Sequence, residues 1–341
     1  MMGSSMRTVW MYLATICMLC AFEGNSFGQE AVETPKLTEV RITSSLDETE
    51  QPLRMWAPAR AKTESTPLFV MLHTWSGDYR QDRSEWLREA AARDWIFVQP
   101  NFRGPNRHPE ACGSSRARAD VLDAIDWAIA NYEVDTDRVY LAGVSGGGHM
   151  AMLMAAYHPE RFSAVSAWVG ISSLNDWYTF HTRGGKVGNY AKMIAASCGG
   201  APGTDAAVDV EYYRRSPIHF LQYAAGLPLD LNAGVKDGKT GSVPIHHTLR
   251  AFNVLARVAE APEVSAEEME ELWSNERLRS PHPDDVAEDP SYGREIRLRR
   301  SAGAARVTIF DGGHEGIPAA GVAWLQEQAR ATASSPAGLL P

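Results

Sequence analysis

Residues 139–151 read VYLAGVSGGGHMA, and this stretch decides the fold. The apolar run Val139–Val144 predicts a buried strand, and the residues after Gly147 continue as an apolar helix. Between the two, the chain has to turn within about two residues, which leaves Ser145 at the tip of a strained turn. Gly143 and Gly147 suit such a turn because they let strand and helix approach without a collision of side chains.

Apolar runs and amphipathic stretches alternate along the rest of the chain, the pattern of a mostly parallel sheet with crossover helices. Eight runs predict the strands of one sheet, and several are apolar throughout, as strands covered on both faces are. The runs are LTEVRITS, PLRMWAP, PLFVMLHTW, WIFVQPNF, RVYLAGVS, FSAVSAWVG, LPLDLNAGV and ARVTIFDGG. Helical patterns between them cover residues 83–92, 116–131, 147–157, 245–259 and 319–332.

Two longer stretches interrupt this alternation. Residues 172–226 are long enough to fold over the carboxyl edge of the sheet as a cap, and residues 260–304, helical at SAEEMEELW, predict a surface insertion. Neither has a strand pattern of its own. We therefore expect one α/β domain over residues 29–332, followed by a flexible tail at residues 333–341.

Composition excludes some classes of function. With 44% hydrophobic and 22% charged residues, the 341-residue chain can bury an ample core. A net charge of −9 argues against a strongly basic nucleic-acid-binding surface. The one basic run, REIRLRR at Arg294–Arg300, follows the acidic DDVAED and is interpreted as part of a solvated surface pair.

The N-terminus predicts an export signal. Arg7 precedes the apolar TVWMYLATICMLCAF, and Ser26 and Gly28 are placed as a signal-peptidase site requires. The apolar stretch is too short to span a bilayer comfortably. We expect cleavage near Gly28 and a periplasmic or secreted protein without a stable membrane anchor. The alternatives are an uncleaved anchor and a lipoprotein signal at Cys20, for which the bulky Leu19 is a poor fit.

After such cleavage only Cys112 and Cys198 remain, so no disulfide framework holds the fold. The two residues either form a single bridge or are separate buried thiols. Because they lack the histidine and further cysteine partners of a zinc site, no metal is expected.

Residues 143–147 match the G-x-S-x-G pattern of a nucleophilic serine. A second match, GNSFG at residues 24–28, would be removed with the export signal. The first match opens a helix, which places the amide of Gly146 beside the hydroxyl of Ser145, where an oxyanion would form. The alternative is a structural serine in a glycine-rich turn.

A serine nucleophile needs a base, and that base needs an orienting acid. In this fold pattern the chain order is Ser, Asp or Glu, then His. His314 follows the last strand in a glycine-rich loop, which we expect to carry it over the sheet to Ser145. His149 lies one turn into the helix and is expected to pack behind the nucleophile, while His246 and His247 begin a helix and are expected at the surface or behind the site.

Asp237 is the preferred acid. It ends the apolar run LNAGVKD and so lies at the carboxyl end of a strand, where loops build the sites of open α/β sheets. Asp230 lies at the other end of the same strand. Asp176, after the preceding strand, is the competitor, because some hydrolases place the acid there.

The loop in FVMLHTWSGDYR offers a second oxyanion donor, the backbone amide of Trp75 or, as the alternative, of Thr74. His73 is expected to brace this loop. In the cap, Trp177, Tyr178 and Tyr190 are candidates to contact substrate, and core packing of the cap is the alternative.

GVSGGGHMA, NFRGPN, GVKDG with GSVPIHHTLRAFNVL, and TIFDGGHEG together resemble the catalytic domain of the prolyl oligopeptidase family, which has the α/β-hydrolase fold. The resemblance covers Thr66–Gln328 and implies Ser145 as nucleophile, Asp237 as acid and His314 as base. The family's peptidases usually carry a β-propeller ahead of this domain, and the stretch before PLFVML is too short for one. The family also places Val-Pro close behind the acid, whereas DGKTGSVP inserts residues there.

The sequence therefore predicts a serine hydrolase that cleaves a peptide or ester acyl bond without a cofactor. Its substrate is expected to be a small molecule, a short peptide or a carbohydrate ester. Because the chain also resembles small exported carbohydrate esterases, an acetylxylan-type esterase is the first alternative. A catalytically inactive binding protein on a hydrolase scaffold is the second.

Overall fold

Strands that are buried along their whole length form the centre of the molecule. A computed structural model describes residues 34–330 and shows a nine-stranded sheet in this part of the chain. The strands are β1 Thr38–Thr43, β2 Glu50–Trp56, β3 Thr66–Leu72, β4 Ile96–Pro100, β5 Val134–Val144, β6 Ala164–Trp168, β7 Leu229–Gly234, β8 Ile296–Ala302 and β9 Ala305–Phe310. Every residue of β3, β4, β6 and β7 is buried, because helices cover both faces of the sheet there.

The sheet has the order β1-β2-β4-β3-β5-β6-β7-β9-β8. The neighbours from β4 to β9 pair in parallel, whereas β1, β2 and β8 join the edges in antiparallel pairs. The carboxyl ends of β3, β5, β7 and β9 therefore lie along one edge of the sheet, where the loops that follow them can form a common site.

Helices fill the connections between the strands. They are α1 Ser84–Ala91, α2 Ser115–Asn131, α3 Gly146–Tyr157, α4 Leu174–Phe180, α5 Asn189–Cys198, α6 Ala206–Arg214, α7 His246–Val258, α8 Ala266–Asn275 and α9 Pro318–Gln326. Polar caps fix several ends: Ser114 accepts the Ala117 amide at the start of α2, and Ser265 and Glu268 form a capping box at the start of α8.

The prediction of eight strands was one strand short. The basic run interpreted as solvated surface, Arg294–Arg300, overlaps β8, an edge strand that pairs antiparallel with β9. Its apolar residues Ile296 and Leu298 are buried at two-residue spacing, which is the period of a strand. The region 260–304 is therefore only partly a surface insertion.

The arginines of β8 are the reason that the strand was missed, because their charges hide a short apolar alternation. Each of them is paired with a carboxylate in the folded protein. The pairs are Arg297 with Asp311 at 2.9 Å, Arg299 with Asp289 at 3.0 Å, and Arg300 with Asp285 at 2.7 Å.

The segment predicted as a cap lies between β6 and β7 and contains α4, α5 and α6. Its helices share a second apolar cluster with the loops at the sheet edge. The buried members of this cluster are Trp75, Cys112, Ile171, Leu174, Trp177, Ile194, Cys198, Val208, Tyr212 and Val243. The two cysteines are buried as free thiols, and burial raises the pKa of Cys112 to about 11.

The predicted export signal, residues 1–28, and the whole predicted tail, residues 333–341, lie outside the described residues. Within residues 34–330, no helix is both long enough and apolar enough to cross a membrane.

Candidate active site

Ser145 occupies a strained turn between β5 and α3. Its backbone has φ 61° and ψ −116°, a conformation that residues with a side chain rarely adopt. The turn is tight enough to require the flanking glycines. A Cβ on Gly143 would lie 2.2 Å from the carbonyl oxygen of Gly147, and one on Gly147 would lie 2.8 Å from that of His73.

The structure brings Ser145, His314 and Asp237 together in one hydrogen-bonded chain. The Nε2 atom of His314 lies 2.8 Å from the Oγ of Ser145, and its Nδ1 lies 2.8 Å from Oδ2 of Asp237. Asp237 is fully buried, and its Oδ1 accepts the amides of Gly238 at 2.8 Å and Val243 at 3.1 Å. This geometry suits a neutral imidazole that donates from Nδ1 to the carboxylate and accepts the serine hydroxyl at Nε2.

Two backbone amides meet beside the serine. A Cβ placed on Gly146 would lie 2.3 Å from the amide nitrogen of Trp75. Gly146 begins α3, so its amide has no acceptor within the helix. The amide of Trp75 donates to no protein acceptor within residues 34–330, whereas that of Thr74 donates to Oε1 of Gln81 at 2.8 Å. Trp75 is therefore the residue of this loop with a free donor at the serine.

Extra residues after Asp237 pack directly over the acid. A Cβ on Gly241 would lie 2.2 Å from Oδ1 of Asp237, so only glycine allows this approach. Ser242 follows, with its Oγ 3.4 Å from Nε2 of His314. Its carbonyl oxygen accepts Nε1 of Trp177 at 2.7 Å and lies 3.0 Å from Nε2 of His181. The loop thus connects the acid to the cap.

A cleft of about 480 Å³ opens in front of Ser145 and His314. Aromatic and charged side chains line this cleft, among them Trp86, Tyr190, Asp82, Arg83, Glu85 and Arg88. Arg83 and Trp86 were not among the sequence candidates, and their only signal was their place at the start of α1, just after the loop that follows β3.

The three aromatic residues proposed for the cap have different locations. Tyr190 lines the cleft. Trp177 is fully buried, with its ring centroid 4.6 Å from that of Trp75, because its indole completes the apolar cluster under the cap. Tyr178 lines a separate depression together with Tyr212. The structure thus brings only Tyr190 to the serine.

The competing histidines have structural contacts. His149 is fully buried with Nε2 2.7 Å from the carbonyl oxygen of Arg215, and burial lowers its pKa to about 4. His73 stacks on Phe102 and contacts carbonyl oxygens of the loops after β3 and β4. His247 is buried beside Ser172, and burial lowers its pKa to about 3.

The competing acids lie elsewhere. Asp176 is exposed and forms an ion pair with Arg250 at 2.9 Å. Asp230, at the opposite end of β7 from Asp237, is buried and pairs with Arg306 at 2.9 Å. Neither carboxylate contacts His314. Among the residues described, no group of three or more His, Cys, Asp or Glu side chains has the arrangement of a metal site.

A profile of the prolyl oligopeptidase family matches residues 84–270, which is more than half of the chain. The matched region includes Ser145 and Asp237 and ends before His314.

Curated relatives match shorter segments. The chain is 40% identical to the feruloyl esterase B of Neurospora crassa over 52 residues, which are 15% of this chain and 18% of that protein. It is 39% identical to the acetylxylan esterase A of Emericella nidulans over 51 residues, 15% of this chain and 17% of that protein. These matches thus span less than a fifth of either relative.

Among solved structures, the acylaminoacyl peptidase of Pyrococcus horikoshii aligns with a TM-score of 0.52 at 19% identity. The alignment covers 67% of this chain and 36% of that chain. At this identity the likeness concerns the fold alone.

Proposed function

The chain belongs to the prolyl oligopeptidase family, whose catalytic domains are serine hydrolases with the α/β-hydrolase fold, and from that premise we propose that it is an acyl hydrolase with Ser145 as nucleophile. The observation that carries this proposal is the hydrogen-bonded chain from Ser145 through His314 to Asp237, with 2.8 Å at each step.

In the proposed mechanism, Ser145 attacks the carbonyl carbon of an ester or peptide bond while His314 takes the hydroxyl proton. Asp237 orients the imidazole and stabilises its protonated form. His314 then gives the proton to the leaving group, and water releases the acyl group by the same route. The amides of Trp75 and Gly146 stabilise the oxyanion, and loss of one such donor typically lowers turnover about 100-fold or more. The mechanism needs no cofactor.

A carbohydrate ester is the second candidate substrate. The names of the curated relatives, a feruloyl esterase and an acetylxylan esterase, support it. The aromatic side chain of Tyr190, half-buried at the cleft, is suited to pack against a sugar or an aromatic acyl group.

Ser145→Ala tests the proposal. Purified wild-type protein should hydrolyse 4-nitrophenyl acetate and react covalently with a fluorophosphonate probe. The variant should lose both reactions while its thermal unfolding stays cooperative, because only the nucleophile is removed. Wild-type protein that neither reacts with the probe nor hydrolyses the ester would favour the inactive binding protein instead.

A prolyl 4-nitroanilide, assayed beside the ester, separates the two substrate classes. Serine-dependent cleavage of the anilide would identify a peptidase. Turnover of esters alone, extended to acetylated xylan and feruloyl esters, would identify a carbohydrate-type esterase.

Export is proposed from the N-terminal pattern, with Arg7 ahead of an apolar stretch and small residues up to Gly28. N-terminal sequencing of the protein recovered from a secreting host should give a start near residue 29. A mature protein that retains residues 1–28 would contradict this.

A further inference from the structure

Arg83 lines the cleft of Ser145, and within residues 34–330 its guanidinium forms no ion pair with a carboxylate. We propose that it binds a carboxylate of the substrate, so that the preferred substrates are esters or amides that carry a carboxylate near the scissile bond. The proposal rests on the acyl hydrolase function above and specifies its substrate class.

The side chain of Arg83 is half-buried, and its hydrogen bonds are incomplete. Its Nη2 donates to Oε1 of Gln81 at 2.9 Å. Its Nε is buried with no hydrogen-bond partner, and its guanidinium forms no ion pair with any carboxylate in residues 34–330. Nη1 has no hydrogen-bond partner in the same residues and, unlike Nε, is open to solvent, so it is the atom of Arg83 that a ligand could bind.

The neighbouring charged groups are engaged elsewhere or turned to solvent. Asp82 is exposed, accepts the amide of Ser84 at 2.9 Å, and has its pKa lowered by that contact. Glu315 pairs with Arg294 at 2.7 Å. Glu85, also at the cleft, is exposed. The charge of Asp82 acts on Arg83 from a distance, but none of these carboxylates forms an ion pair with its guanidinium.

Burial lowers the pKa of Arg83 to about 10, so the guanidinium remains protonated at neutral pH. It also stands at the start of α1, where the helix dipole adds positive potential. A substrate carboxylate would supply a counter-charge to the guanidinium through charge-assisted hydrogen bonds, which are stronger than neutral ones. The protonated guanidinium and the helix dipole thus both favour an anionic ligand.

A bracing role for Arg83 is the competing explanation. Gln81, its partner, accepts the Thr74 amide at 2.8 Å and donates from Nε2 to the Thr74 hydroxyl at 3.1 Å, next to the Trp75 amide. If Arg83 only held this loop in place, its loss would weaken every substrate equally. A carboxylate-binding role predicts a loss that depends on the charge of the substrate.

Matched substrates separate these roles. On the acyl side, monomethyl succinate carries a carboxylate where methyl butyrate carries a methyl group. On the leaving-group side, 4-acetoxybenzoate carries a carboxylate where 4-acetoxybenzamide carries a carboxamide. We expect wild-type kcat/KM to favour the anionic member of one pair. In Arg83→Gln, the ratio of anionic to neutral kcat/KM for that pair should fall about tenfold or more, mainly through KM.

Arg88→Gln is the matched control. It removes the same charge from the same cleft, at a residue whose Nη1 donates to Oγ1 of Thr34 at 2.9 Å. In this variant, the ratio of anionic to neutral kcat/KM should change less than about threefold, the scale of a long-range charge effect. An equal loss on both members of each pair in Arg83→Gln, or no preference for an anion in the wild type, would overturn the proposal.

A binding measurement keeps this test independent of turnover. Titration calorimetry of Ser145→Ala with monomethyl succinate should show tighter binding than with methyl butyrate, and Arg83→Gln in that background should remove the difference. If no ester is hydrolysed but the difference persists, the acyl hydrolase function fails and the carboxylate site stands. If hydrolysis occurs and the difference is absent, the carboxylate site fails alone.

Discussion

A buried carboxylate behind a histidine gives the imidazole one orientation and one tautomer. Asp237 is suited to this role because its Oδ1 is held by two backbone amides while its Oδ2 faces Nδ1 of His314. An uncharged amide in its place could present a hydrogen to Nδ1, and the ring would then carry its proton on the wrong nitrogen for accepting from serine.

Asp237→Asn is therefore expected to lower kcat on 4-nitrophenyl acetate by about 10⁴-fold with little change in KM. Asp176→Asn is the control, since that carboxylate forms only an exposed ion pair with Arg250. It should stay within about twofold of the wild type, because exposed pairs contribute little. The reverse order of effects would move the acid to Asp176.

At the level of single residues, the sequence could indicate which side chains come together at the site, because their positions follow from the order of the parallel strands. Ser145, Asp237 and His314 each follow the carboxyl end of a strand, and parallel strands align those ends. Arg83 could not be found in the same way. Its significance depends on which of its nitrogen atoms are unpartnered and open to the cleft, and that requires coordinates.

At the level of elements, apolar patterning predicted four helices within about two residues of their observed limits, whereas the predicted helix 319–332 was too long because α9 ends at Gln326. The segment 245–259 became α7, His246–Val258, and 83–92 became α1, Ser84–Ala91. Strand β8 was missed because its arginines argued both against a strand and against a position in the sheet. Its stability depends on partners in distant segments, such as Asp285 and Glu268 around Arg300.

Arg300→Ala should destabilise the protein by about 3 kcal/mol, because Asp285 would remain a fully buried carboxylate without its ion-pair partner. Urea unfolding at pH 7 measures this as a lower midpoint. Arg279→Ala, at an exposed pair with Glu271, should change the free energy of unfolding by less than about 1 kcal/mol. Similar values for the two variants would mean that the β8 pairs are not important for stability.

For the whole molecule, buried neutral histidines link stability to pH. Burial lowers the pKa of His73 and of His149 to about 4, and that of His247 to about 3. Above the ordinary value of 6.5 these rings are neutral in both the folded and unfolded chain, so they add no pH dependence there. As pH falls from 6.5 towards 4, the unfolded chain binds protons that the folded protein does not, and the free energy of unfolding decreases.

We expect the free energy of unfolding to be lower at pH 5 than at pH 7, by about 2 kcal/mol for each of these histidines. Urea titrations at the two pH values measure the difference. In His149→Gln, the amide of the new side chain can still donate to the carbonyl of Arg215. This variant should reduce the difference by about 2 kcal/mol, the contribution of one histidine. An unchanged difference in the variant would show that His149 is not one of the groups responsible.

The backbone of Ser145 carries a further consequence. A residue with a side chain at φ 61° and ψ −116° holds a local strain that typically costs about 1–3 kcal/mol, and glycine would relieve most of it. Glycine, which has no hydroxyl, is thus the residue with the least backbone strain at this position. Directed evolution for heat resistance alone would reward loss of the nucleophile, so a selection on this protein has to score activity and stability together.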